Sequence, residues 1–193
     1  DKRLVEIRGY REDDALKTIE VLNALAGLGD ETVIPKRLFV NYAGHKNPGI
    51  RLAALRAISK YRDDESFTIL SGHMKDKDPE VRRQALNCLC WTFADRCAPL
   101  ALHALHDIDR HVRKAASQIV GALKVRQAVS GLITLLSDSD AEVQKVASKS
   151  LKKITKQDFE FKASASQKNK EASIEDWRFW WRDNQAKFMS LAS

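Results

Sequence analysis

Apolar and polar positions along the chain follow a pattern that returns every 31 residues. KDPEVRRQA at 77–85 is matched by IDRHVRKAA at 108–116, by SDAEVQKVA at 139–147 and, upstream, by KNPGIRLAA at 46–54. One column of this repeat holds Ile50, Val81, Val112 and Val143. Four residues further on stand Ala54, Ala85, Ala116 and Ala147, and four beyond those Ile58, Leu89, Val120 and Leu151. Spacings of four keep side chains on one side of an α-helix, so the three columns predict a buried helix face. An alanine in every copy of the middle column predicts helices that approach too closely for a larger residue.

The polar positions mark where these helices begin. Asn47, Asp78, Asp109 and Asp140 precede each pattern, and their side-chain oxygens suit the free backbone N–H groups of a first turn. Pro48 and Pro79 follow at the helical position proline fits best, replaced later by Arg110 and Ala141. Each helix leads through a short turn into a second apolar stretch, at 33–42, 66–74, 98–105 and 128–136. Two antiparallel helices are too thin to bury their own apolar faces, so each pair needs neighbours. The first copy is looser. Asp14, Val21, Leu25 and Leu28 align with the next copy only at a spacing of 33, with Gly29 and Asp30 as the turn.

The D-x-[DN]-P-x-[VI]-R-x-x-A-[AL] patterns over residues 13–155 resemble the HEAT-repeat superfamily, in the compact bacterial subtype similar to the repeats of phycobilisome lyases. The W-LG-Y and TPLH signatures of tetratricopeptide and ankyrin arrays are absent. The resemblance implies an all-α fold, a right-handed α-solenoid of stacked antiparallel helix pairs. Four pairs would be followed by a fifth first-helix at 141–154. It also implies that first helices form the convex side, while partners dock in the concave groove made by second helices.

Around the array at 13–155 the chain divides into an N-terminal extension at 1–12, a polar loop at 156–172 and a C-terminal helix at 173–193. Phe159 and Phe161 alternate within the loop and are expected to dock on the last repeat. The final helix opens with Ser173 and Asp176 in a capping-box-like start. Ile174, Trp177, Trp181, Asn184, Phe188 and Leu191 then follow at helical spacing. A solenoid leaves the apolar face of its last repeat open, and this Trp-rich stripe predicts a capping helix that covers it. Phe179 and Trp180 lie partly off the stripe and are the aromatics best placed to serve a partner.

Composition adds the question of charge. The 193 residues are 44% hydrophobic and 31% charged, an ordinary globular balance, with a formal charge of +7 that suits anionic partners. Two basic columns run through the repeats. Arg51, Arg82, Arg113 and Gln144 directly follow the aliphatic column, and each guanidinium is expected to reach an aspartate near a helix start, such as Asp76, Asp107 or Asp138. An anion-binding stripe is the alternative. The next column, Arg83, Lys114 and Lys145, combines with Lys149, Lys152, Lys153 and Lys156 to make the later first helices basic. That face is either simply solvated or a nucleic-acid stripe built on Arg83, Lys114, Lys145 and Lys149.

Cys88, Cys90 and Cys97 form no CxxC pair and have no distant second half of a zinc site. They are expected to be small buried residues of a reducing compartment, which favours the cytoplasm. Because the chain begins at Asp1, export stays open. His103, His106 and His111 are the one cluster with a metal-ligand look, but no carboxylate stands at a completing helical spacing. No metal or cofactor is expected. Trp91 and Asp95 bear a two-residue resemblance to HEAT-like alkylpurine DNA glycosylases. No G-x-S-x-G, Walker loop, HExxH or Gly-rich dinucleotide turn is present.

These features together predict a non-catalytic scaffold or adaptor that binds another protein through the concave face. The contact set is Lys36, Arg37, Asn41, Arg96, His103, His106, Arg126 and Gln127, on a monomer or a segment of a larger chain. A nucleic-acid-binding protein using the basic ladders is the alternative. A tetrapyrrole lyase-like or DNA-repair enzyme follows from superfamily analogy alone.

Overall fold

The computed structural model describes residues 15–27 and 34–190. The N-terminal extension, Asp14, Leu28, the Gly29–Asp30 turn and Leu191 lie outside them. The described residues are helical without strands, and the chain forms two compact units, residues 1–93 and 94–193. The fold class is an all-α solenoid of HEAT-like helix pairs with a Trp-rich C-terminal cap.

In the first unit the first helices are α1 (Ala15–Gly27), α3 (Pro48–Ile58) and α5 (Pro79–Thr92). The second helices are α2 (Lys36–Ala43) and α4 (Asp64–Gly72), the latter extended by a 3₁₀ turn at His73–Lys75. α3 packs between α1 and α5, α2 lies on α3, and α4 lies on α5. The second unit repeats this with first helices α7 (Arg110–Ala122) and α9 (Ala141–Thr155). Its second helices are α6 (Ala98–Ala104) and α8 (Val129–Leu135), the latter entered through a 3₁₀ turn at Arg126–Ala128. α7 packs on α9, α6 on α7, and α8 on α9.

The periodic columns do what their chemistry predicts. All twelve residues of the aliphatic, alanine and distal apolar columns are buried. The four N-cap side chains each accept from two backbone N–H groups: Asn47 from Gly49 and Ile50, Asp78 from Glu80 and Val81, Asp109 from His111 and Val112, Asp140 from Glu142 and Val143. Each such cap stabilises its helix by about 1 kcal/mol. The first copy departs from its expected register. Val21 is 40% exposed, and the inward positions of α1 are Thr18 and Leu22, which share one face at a spacing of four.

Close approach is clearest between α7 and α9. A Cβ added at buried Gly121 would sit 2.4 Å from Ser150 Oγ and 2.7 Å from Ser150 Cβ. Beside it Ser150 Oγ donates to the Ser117 carbonyl at 2.7 Å. Small residues here let two backbones meet, at the expense of the helix propensity that alanine would add.

The C-terminal helix α10 (Gln167–Ser190) starts well ahead of the expected Ser173, so the polar loop is correspondingly shorter. QKNKEA is rich in good helix formers, and Ser166 Oγ accepts from the Asn169 N–H at 3.4 Å, which moves the start upstream. α10 packs on α8 and its entry turn. Ile174, Trp177 and Trp181 face inward, and Trp177 is fully buried. Phe159 meets Trp177 edge-on at 4.7 Å, Trp180 and Trp181 both contact Phe188, and Phe161 is buried nearby in sequence. Such pairs add to the large area each ring removes from water.

Gly121→Ala is expected to lower stability by about 1–2 kcal/mol despite its better helix propensity, measured by urea unfolding. Trp177→Ala is expected to lose about 3–5 kcal/mol by the same measurement, because the cap then no longer fills the end of the second unit.

Candidate functional site

The turns between repeats are built around one arginine column. Arg51 donates from Nη1 to the carbonyls of His45 and Lys46 at 2.8 and 3.0 Å, closing the turn ahead of its own helix. Its Nε and Nη2 then hold the Asp76 carboxylate of the next turn at 2.8 and 2.6 Å. Arg113 repeats both parts, with Asp107 and Ile108 carbonyls at 2.9 Å and Asp138 at 2.6 and 2.8 Å. Arg82 closes its turn on the Asp76 and Lys77 carbonyls, and Gln144 does so on the Asp138 carbonyl at 2.6 Å. The fork of a guanidinium suits this two-sided task, since five N–H donors lie in one plane.

The aspartates have a second job that the sequence spacing alone did not suggest. Asp76 Oδ1 also accepts from the Asp78 N–H at 2.9 Å, and Asp107 and Asp138 do the same for Asp109 and Asp140. His45 occupies the equivalent place one repeat earlier and accepts from the Asn47 N–H through Nδ1. The signal was available as a further 31-residue column, His45, Asp76, Asp107 and Asp138. Burial opposes ionisation of Asp76. The hydrogen bonds from Arg51 and the Asp78 N–H, with the nearby positive charges, outweigh it and hold the carboxyl below its ordinary value. The Asp138 hydrogen bond raises the already high pKa of Arg113. The arginine column is therefore internal bracing, with Arg51 and Arg82 buried.

The expected contact residues separate into two kinds. In the first unit Lys36 is already engaged, with Asp63 at 2.6 Å and Glu65 at 2.5 Å, while Arg37 and Asn41 are exposed on α2. In the second unit Arg126 donates to the Phe188 carbonyl at 3.0 Å and covers the Phe188 ring, so it fastens α10. Arg96 is exposed and takes part in an interaction of its own. His103, His106 and Gln127 are exposed, and they, like Arg37 and Asn41, have no side-chain hydrogen bond or ion pair among the described residues. Among those residues no group of three or more His, Cys, Asp or Glu side chains is placed to hold a metal.

Beside α2 and α4 lies an open recess of about 480 Å³ lined by Val40, Ala43, Gly44, Ile69, Gly72 and His73, among others. The His73 ring spans it, with Nδ1 2.8 Å from the Ile69 carbonyl and Nε2 2.9 Å from the Ala43 carbonyl. Of the basic column, Arg83 is held by Glu80 and Lys145 lies 3.4 Å from Glu142, whereas Lys114 and Lys149 are without ion pairs among the described residues. Phe179 is 60% exposed with the Arg182 guanidinium over its ring, and Trp91 is 86% exposed. Trp180 lies within the aromatic cluster of α10 and is only partly accessible. The cysteines differ from expectation. Cys88 is free and buried, but Cys90 and Cys97 are disulfide-bonded, so they are not two reduced core thiols.

With this geometry in view, comparison with known proteins is informative about architecture. Residues 4–90 match the family model of HEAT repeats. Among solved structures the chain is similar to the crystal structure of an engineered protein from the Northeast Structural Genomics Consortium, at 16% identity and a TM-score of 0.51, covering 90% of this chain and 92% of that one. At that identity the likeness concerns the fold alone. No curated protein matches the chain. HEAT repeats are in general scaffolds for protein interactions, and no described helix is long and apolar enough to cross a membrane.

Asp76→Asn is expected to cost about 3 kcal/mol at neutral pH, because it leaves the buried Arg51 guanidinium without its counter-charge. The lowered Asp76 carboxyl contributes stability that is complete above its ordinary value of 3.8 and is lost as pH falls through the lower folded value. Urea unfolding across an acid series is therefore expected to show a shallower acid loss in Asp76→Asn than in the parent chain.

Proposed function

We propose that this chain is a non-catalytic scaffold that binds another protein through the exposed faces of its second helices. The carrying observation is the division among polar side chains. The caps, the arginine column, Lys36 and Arg126 are occupied in holding the fold, whereas Arg37, Asn41, His103, His106 and Gln127 are exposed and without partners among the described residues. Arg37, Asn41 and His103 sit on second helices, His106 in the turn after α6 and Gln127 in the turn ahead of α8, and all five can offer hydrogen bonds to a partner. The 31-residue period supports the compact HEAT subtype similar to phycobilisome-lyase repeats. The bonded Cys90 and Cys97 fit an oxidising environment better than a reducing one.

The partner is to be captured with the full chain and identified, and its binding then measured against two sets of variants. Ala changes at Arg37, Asn41, His103, His106 and Gln127 together are expected to weaken binding by tenfold or more with an unchanged melting profile. Changes at exposed first-helix positions such as Gln118 and Lys149 are expected to leave it intact. The reverse result would place the partner on the first helices and overturn the reading.

A further inference from the structure

The second unit carries a cationic surface that its fold does not use. Lys145, Lys149, Lys153 and Lys156 run along the face of α9 opposite its buried Val143, Ala147, Leu151 and Ile154, with Lys152 beside them. At the helical rise, the four-residue steps from Lys145 to Lys149 to Lys153 are each about 6 Å, Lys156 follows three residues on, and the row extends about 16 Å. The neighbouring helix α7 adds Lys114, at the register position of Lys145, and Lys124 just beyond its end. Lys124 and Lys156 both hold left-handed backbones, with φ of 52° and 65°. Glycine takes that conformation at helix ends far more readily, so two adjoining helices end on lysine against local preference.

Few of these charges are neutralised. Lys145 lies 3.4 Å from Glu142 and Lys152 lies 2.6 Å from Asp158, both solvent-accessible pairs. Lys114, Lys124, Lys149, Lys153 and Lys156 have no ion pair among the described residues. We propose that this α7–α9 lysine face binds the phosphodiester backbone of duplex nucleic acid, without reading its sequence. Lysine ammoniums act as point charges toward phosphate oxygens, and regular spacing along a straight helix suits a regular row of phosphates. A duplex presents one charge per about 1.7 Å of axis, so the row passes several phosphates on either strand. A membrane surface would instead call for several apolar side chains among the lysines; Leu123 beside Lys124 is 39% exposed, but none of the large exposed apolar residues lies on α9. This surface is separate from the second-helix faces and stands or falls independently of them.

The test is fluorescence anisotropy of the full chain with a labelled duplex of about 20 base pairs, from about 50 to 200 mM salt. The parent chain is expected to bind in the micromolar range at physiological salt. Lys149→Gln, Lys153→Gln and Lys156→Gln combined are expected to raise Kd tenfold or more and to reduce the log–log salt slope by about 0.9 per lysine removed. The three corresponding Lys→Arg changes are expected to retain binding, which separates loss of charge from loss of fold. A control with Arg62→Gln, Lys75→Gln and Lys77→Gln in the first unit is expected to bind as the parent does. Absence of duplex binding at physiological salt would overturn the proposal. So would equal weakening in both triple-Gln variants, or binding to phosphatidylserine vesicles without binding to the duplex.

Discussion

The structure depends on one recurring constraint: the turn between helix pairs must be closed without a core of its own. An arginine, buried at Arg51 and half-buried at Arg113, meets that need by reaching in two directions at once. Arg51 and Arg113 bind the carbonyls of the turn behind them and the carboxylate of the turn ahead, while that carboxylate also caps a backbone N–H of its own turn. A lysine could not reproduce the arrangement, because its compact ammonium lacks the planar fork. The charge is tolerated in a buried place because hydrogen bonds occupy both partners. Each pair thereby fixes where the next helix starts, and the residue two before each cap, His45 in the first case and an aspartate in the other three, is as much part of the cap as the cap itself.

Once the turns are set, packing is decided by how closely first helices approach. The alanine column and the Gly121–Ser150 contact keep α7 and α9 near enough that backbone and hydroxyl meet directly. At the C-terminal end the solution is reversed. After α9 the chain packs α10 on the second unit, where large rings replace small ones, and Trp177, Trp181 and Phe188 line it with Arg126 fastened on Phe188. Small residues between repeats and large residues at the end answer the same physical need, which is to exclude water from a thin layer of helices.

The charged side chains divide between those that hold the fold and those without partners among the described residues. The turn arginines, Lys36 and Arg126 are internal bracing, whereas Arg37 and most of the lysines along α9 have no ion pair among the described residues. The two proposed uses, a polar face for a protein partner and a lysine row for a polyanion, rest on different residues. Neither use asks for a nucleophile or a metal, and both exploit the rigidity that the turns supply.

The sequence by itself determined the repeat, its caps and its buried columns, and it placed an arginine column within reach of aspartates near the helix starts; which aspartate each arginine holds came from the structure. Periodicity, helix-start chemistry and charge complementarity are local properties that recur in register. It also showed the Trp-rich stripe as a cap, because helical spacing of aromatics is legible without coordinates. Only the tertiary structure decided which side chains were already spoken for. Lys36 and Arg126 looked as free as Arg37 and Gln127 until distant partners, Asp63 with Glu65 and the Phe188 carbonyl, appeared beside them. The inward position of Leu22 in place of Val21, the bonded state of Cys90 and Cys97, and the early start of α10 likewise depend on what packs against each segment. A pattern in one segment records its own preferences; a contact also needs the position of the other side.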